Sequence, residues 1–96
     1  MNIAEFKRSL NNDVPPKEIS SLLLSLWYDA KGDWESSHKI AQEINSKEGA
    51  LIHAYLHRKE GDMYNAEYWY RRSNKKKPGV TLEEEWQLMV KALCTE

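Results

Sequence analysis

The chain has a single cysteine, Cys94, so no internal disulfide can staple the fold, and a reducing compartment is the simple reading. No charge dominates either. Lys plus Arg number 14 and Asp plus Glu 15, a formal net charge of -1, so no global field steers the protein onto nucleic acid or anionic lipid. No stretch approaches the ~20 apolar residues of a membrane span. The opening MNIAEFKRSLNN lacks the apolar centre of a signal peptide, and the expected location is the cytoplasm. Phenylalanine occurs once, against four Trp and five Tyr, so amphipathic rings that keep one edge wet dominate the aromatic content. No segment alternates apolar and polar residues long enough for a strand.

The motifs of common catalysts are missing as well. There is no glycine-rich phosphate loop, no Ser-His-Asp or Cys-His pairing, and Ala54 after His53 rules out His-Glu-x-x-His. Cys94 lies close to the end of the chain, a poor place to position a nucleophile. Glu83, Glu84 and Glu85 fall in a helix first turn, where they complement the dipole. The expectation is a non-enzymatic protein with no catalytic residue and no cofactor.

What is present reads as helix. Hydrophobic residues make up 41% and charged residues 30%, ordinary values for one globular domain. Asn2 with Glu5 forms a capping box over a short helix through Phe6 and Leu10, broken at Asn11-Asn12-Asp13. After Pro15-Pro16 the apolar set Ile19, Leu22, Leu23, Leu26, Trp27 and Ala30 has helical spacing from Lys17 to Lys31. Gly32 supplies a positive-φ cap and Asp33 starts the next helix, from Trp34 to Asn45. A break at Ser46 or Gly49 leads into a helix through Leu51, Ala54 and Tyr55. Gly61-Asp62 then repeats the turn before a helix through Ala66 and Tyr70. Thr81 with Glu84 is a second capping box, opening a last helix through Trp86 and Leu93. The result is an all-α chain of about six helices.

A shift of 29 residues lays Leu22 on Leu51, Leu26 on Tyr55 and Gly32-Asp33 on Gly61-Asp62. A helix–turn–helix unit cannot bury its own apolar face, so the copies must stack. One domain, 1–96, then divides into an N-terminal helix (1–12), unit one (17–45), unit two (48–78) and a capping helix (81–94). Ala54, Gly61-Asp62, Ala66, Tyr70 and Pro78 stand at the spacings of the tetratricopeptide repeat, which the pattern resembles. Ser25, Tyr28, Gly32-Asp33-Trp34, Ser37 and Ala41 match in unit one. The spacing of 29 is below the ~34 of that family, which predicts a first helix of unit two clipped by about a turn. The string WYDAKGDW…HAYLHRKEGD…YWYRR also resembles small bacterial helical-repeat proteins, a similarity that carries no activity with it.

The resemblance implies a ligand-facing surface on the first helix of each unit. It selects Leu22, Leu26, Asp29 and Ala30, then Glu48, Leu51, Tyr55, Arg58 and Lys59. An amphipathic ring beside two cations suits an acidic peptide, so the leading expectation is a module that binds a protein or peptide through Leu22, Leu26, Asp29, Tyr55, Arg58 and Lys59. The competing expectation is that the terminal helices cover this face with Phe6 or Trp86. A second reading takes His53 and His57, at i and i+4 with Glu60 beyond, as metal or small-ligand binders, with His38 or Glu67 as a third donor. Against it, the repeat register turns both rings to the partner helix, where a tyrosine or backbone group would satisfy them. Self-association through open repeat ends, with Trp86 capping or dimerising, is a third. Nucleic-acid binding by Tyr68-Trp69-Tyr70-Arg71-Arg72 and Lys75-Lys76-Lys77 is disfavoured: neighbouring residues on a helix point apart, and cations at a helix C-terminus answer the dipole.

Overall fold

A computed structural model describes residues 1–94. Six helices follow one another and no strand occurs among the described residues: α1 (Ile3–Ser9), α2 (Ser21–Ala30), α3 (Trp34–Gln42), α4 (Lys47–Lys59), α5 (Met63–Ser73) and α6 (Leu82–Leu93). None of these is long and apolar enough to cross a membrane. Each begins on a side chain that accepts a hydrogen bond from the first turn: Asn2, Ser20, Asp33, Ser46, Asp62 and Thr81. Such a bond satisfies one of the amides a helix start leaves without a partner. Both expected capping boxes form. Gly32 and Gly61 each take φ of +86°, which an L side chain rarely adopts. The following Asp33 and Asp62 cap onto Ser36 and Asn65.

Three boundaries differ from expectation. Helix α2 starts at Ser21 and not at Lys17, because the Ser20 hydroxyl caps Leu23 N–H and Glu18 sits in the left-handed region. Helix α3 stops at Gln42, three residues before Asn45. The shortening implied by the 29-residue offset falls on α3, at 9 residues, whereas α4 has 13 and exceeds the 10 of α2. The reason lies in the connection. Ser46 caps α4 and bonds Gly49 N–H at 3.0 Å, so Gly49 belongs to the first turn. A Cβ there would stand 2.5 Å from the Ile44 carbonyl oxygen. Glycine thus lets the incoming chain lie directly on α4.

Hairpin α2–α3 packs beside hairpin α4–α5, with α3 against α4 and α2 against α4. Within the first pair, Ser25 and Ser37 are fully buried and the Ser25 hydroxyl donates to the Ser37 carbonyl at 2.8 Å. In the second pair, Ala54 and Ala66 are fully buried with Tyr70 beside them. Small residues at both crossings let the backbones approach closely. The main core gathers Leu26, Trp27, Ile52, Leu56 and Val90, with Phe6 and Trp86 closing it from the two ends of the chain. Trp34 Nε1 donates to the Leu56 carbonyl at 2.9 Å, tying the first turn of α3 to α4.

Candidate functional site

The face shared by α2 and α4 is covered at one end and open at the other. At the covered end α6 crosses α2 and α4. Trp86 Nε1 donates to the Leu26 carbonyl at 3.0 Å, and its ring lies 6.1 Å from that of Phe6. Trp86 therefore caps the stack, as one of the sequence expectations had it. Leu26, Asp29 and Tyr55 are buried beneath this lid.

The cations expected to grip a partner's carboxylates hold the chain's own. Asp29 accepts from the Tyr55 hydroxyl at 2.6 Å and from Lys59 Nζ at 2.9 Å. Glu85 accepts from Arg58 Nη1 and from the Tyr70 hydroxyl, both at 2.7 Å, while Arg58 Nη2 reaches the Val80 carbonyl at 2.6 Å. Burial first, and then the bond to a carboxylate, pushes both phenols well above their ordinary pKa. Both rings therefore stay protonated and donate. Each buried carboxylate receives one phenol and one cation, which satisfies a charge that burial would otherwise make costly. A depression of about 360 Å³ remains over Asp29, Tyr55, Lys59 and Trp86.

At the open end Leu22 and Leu51 are half-buried and Glu48 is exposed. With Met89, Ala92 and Leu93 of α6 they line a depression of about 380 Å³, and Leu51, Leu88 and Met89 line another of about 250 Å³ beside it. Lys75 borders both, and borders a third of about 250 Å³ with Lys47 and Glu48. Among the described residues no carboxylate pairs with Lys75 or Lys76. Asn74 at φ +62° ends α5 and turns these lysines over the groove.

The histidines gather on the opposite side of α4. His38 of α3 joins His53 and His57, and one ligating nitrogen from each lies within 4.8 Å of the others. His53 is buried and stacks on Trp69 with centroids 3.9 Å apart, and His38 stacks on Trp34 at 4.8 Å. His57 Nδ1 meets Glu60 Oε2 at 2.7 Å. The expected tyrosine or backbone partner for His53 is not there: its Nδ1 is buried without a hydrogen bond. Burial, and then the neighbouring rings, lower His53 to about 4 and depress His38 as well. Glu67 is exposed and takes no part in the cluster.

Sequence spacing on α4 alone brings His53 and His57 together, but it cannot bring in His38, because that contact crosses two helices. The Trp34–His38 spacing on α3, opposite the His53–His57 pair, is the signal that stacking one hairpin on the next would have read. Tyr70 is buried, and Arg72 lies over the rings of Tyr68 and Trp69 at 5.7 and 5.3 Å. Tyr68, Trp69 and Tyr70 of α5 are thus engaged within the chain, whereas Tyr64 is exposed. No family model matches the chain, and neither a curated protein nor a solved structure shows significant similarity to it.

Proposed function

We propose that the chain is a non-enzymatic helical-repeat module of the cytoplasm that binds an acidic peptide segment of another protein at the open end of the α2–α4 face. The observation that carries this reading is the groove over Leu22, Leu51 and Met89 with Lys75 at its margin. An aliphatic side chain seated on that floor gains about 1.5–3 kcal/mol from burial. Lys75 and Lys76, which pair with no carboxylate among the described residues, select an acidic neighbour over a basic one, so the rim adds specificity more than raw affinity. Two repeats supply little concavity, and α6 takes the role of a third wall.

The reading also explains why the lid is locked. With Arg58 engaged by Glu85 and Lys59 by Asp29, neither cation is left unpaired for a partner's carboxylate, and recognition shifts to the Leu22–Leu51 end. A selection from a displayed random dodecapeptide library against the folded protein tests it. Enriched peptides should carry an aliphatic residue flanked by Asp or Glu. Leu51→Arg should weaken them at least tenfold, about 1.4 kcal/mol, and Lys75→Glu with Lys76→Glu should weaken them too. Enrichment of basic sequences, or binding that survives Leu51→Arg in a folded variant, overturns the proposal. So does concentration-dependent dimerisation abolished by Leu51→Arg, which would assign the groove to a second copy of the chain.

A further inference from the structure

The ring cluster on the other side of α4 has a geometry that helix packing alone does not require. Its three centroids stand 4.5, 4.9 and 5.2 Å apart for His38–His53, His53–His57 and His38–His57. A tetrahedral zinc ion with bonds of about 2.05 Å holds its nitrogens about 3.3 Å apart and the imidazole centres about 5 Å apart. The rings already stand at that spacing. Three nitrogens within 4.8 Å of one another lie no more than about 2.8 Å from a common centre, so an inward movement of about 0.7 Å by each reaches bonding distance. Ring rotation within one rotamer well covers such a shift.

Two further observations point to a ligand. His53 Nδ1 is buried and unpartnered, a state that costs about 1–3 kcal/mol. Stacking on Trp69 does not relieve it, because stacking occupies the face of the ring while the nitrogens point from its edge. The second is the His57–Glu60 contact at 2.7 Å. A carboxylate at Nδ1 holds the proton there and leaves the Nε2 lone pair free, the outer partner that metal-bound histidines take.

We infer that His38, His53 and His57 form a three-histidine site for a divalent transition-metal ion of the zinc class, with the fourth position left to water or an external ligand. An all-imidazole set suits zinc, copper and nickel and disfavours calcium and magnesium, which take oxygen. His53 forms the buried floor, while half-buried His38 and His57 leave a path from solvent. The site faces away from the peptide groove and is independent of it.

The test is calorimetric titration of the metal-stripped full chain with Zn²⁺, with Co²⁺ absorption reporting tetrahedral geometry. One Zn²⁺ per chain is expected. His38→Asn and His57→Asn should each weaken binding at least about 100-fold with the helical circular dichroism unchanged, and Glu60→Gln should weaken it about tenfold. Cu²⁺ should quench the fluorescence of Trp34 and Trp69, which stack on two of the ligands, and the quenching should disappear in His38→Asn. Absence of stoichiometric binding overturns the inference. So does a site that persists in His38→Asn and is lost in Asp62→Asn, since that result moves the ion to the neighbouring His57, Glu60 and Asp62 group.

Discussion

Replacing Glu85 by Gln is the sharpest probe of how α6 is held over the α2–α4 face. Glu85 is 3% exposed and receives Arg58 and the Tyr70 hydroxyl, each at 2.7 Å. Glutamine keeps the shape and one acceptor, enough for Tyr70, but turns an amide N–H₂ or a neutral oxygen toward the guanidinium. A hydrogen bond to a charged group is worth about 1.5–3 kcal/mol, and breaking a fully buried pair costs about 3–5 kcal/mol. The Arg58 side chain is 15% exposed and keeps the Val80 carbonyl, so partial rehydration holds the loss toward the lower range, about 2–3 kcal/mol. In a domain of this size that lowers Tm by roughly 10–20 °C. Urea unfolding should show a lower midpoint at unchanged slope. The Arg58→Leu, Glu85→Leu double variant should recover much of the loss, because an apolar pair of similar volume is often neutral in place of a buried ion pair. A Glu85→Gln cost below about 0.5 kcal/mol, the range of ordinary surface changes, would refute the idea that this network locks the lid.

Three further outcomes follow from named contacts. In metal-free protein, His53 titrates near 4 when folded and 6.5 when unfolded, with His38, His57 and Glu60 the titratable groups around it. Because the folded value is the lower one, its contribution is complete above pH 6.5 and is lost as pH falls toward 4, about 3 kcal/mol in all. Denaturant midpoints across pH 7 to 4.5 should show this loss, and His53→Phe, which keeps a ring on Trp69, should flatten the slope. Gly32→Ala and Gly61→Ala have free space around the new methyl but force an L residue to φ +86°, so each should cost about 1 kcal/mol by urea titration. Gly49→Ala must push against the Ile44 carbonyl, 2.5 Å from the new Cβ, and should cost more than either, with weakened amide protection at the start of α4.

The six helices and both hairpin turns were legible because their signals are local. Asn2 with Glu5 and Thr81 with Glu84 contain both halves of a capping box within four residues, and Gly32-Asp33 and Gly61-Asp62 pair a left-handed cap with an N-cap. The start of α2 was missed because Pro15-Pro16 permits a helical turn without compelling one, and the hydroxyl of Ser20 competes with it. The shortening fell on α3 because a buried glycine at 49 allowed close approach, a matter of tertiary contact invisible to a count of 29 residues.

The chemistry of the candidate residues was readable from their types; their partners were not. That Tyr55, Arg58 and Lys59 suit carboxylates follows from an amphipathic ring beside two cations. That the carboxylates are Asp29 and Glu85, 26 and 27 residues away in sequence from Tyr55 and Arg58 respectively, follows only from the packing of α2 and α6 on α4. The same division holds for the histidines. Helical periodicity places His53 and His57 on one side of α4, whereas His38 arrives from another helix and Trp69 from a third. Local sequence determined where each helix begins, which way its residues face and what bonds they can make, because capping and periodicity act within a few residues. Tertiary structure decided which faces were closed and which stayed open, because that depends on distant side chains meeting at interhelical distances that no local pattern encodes.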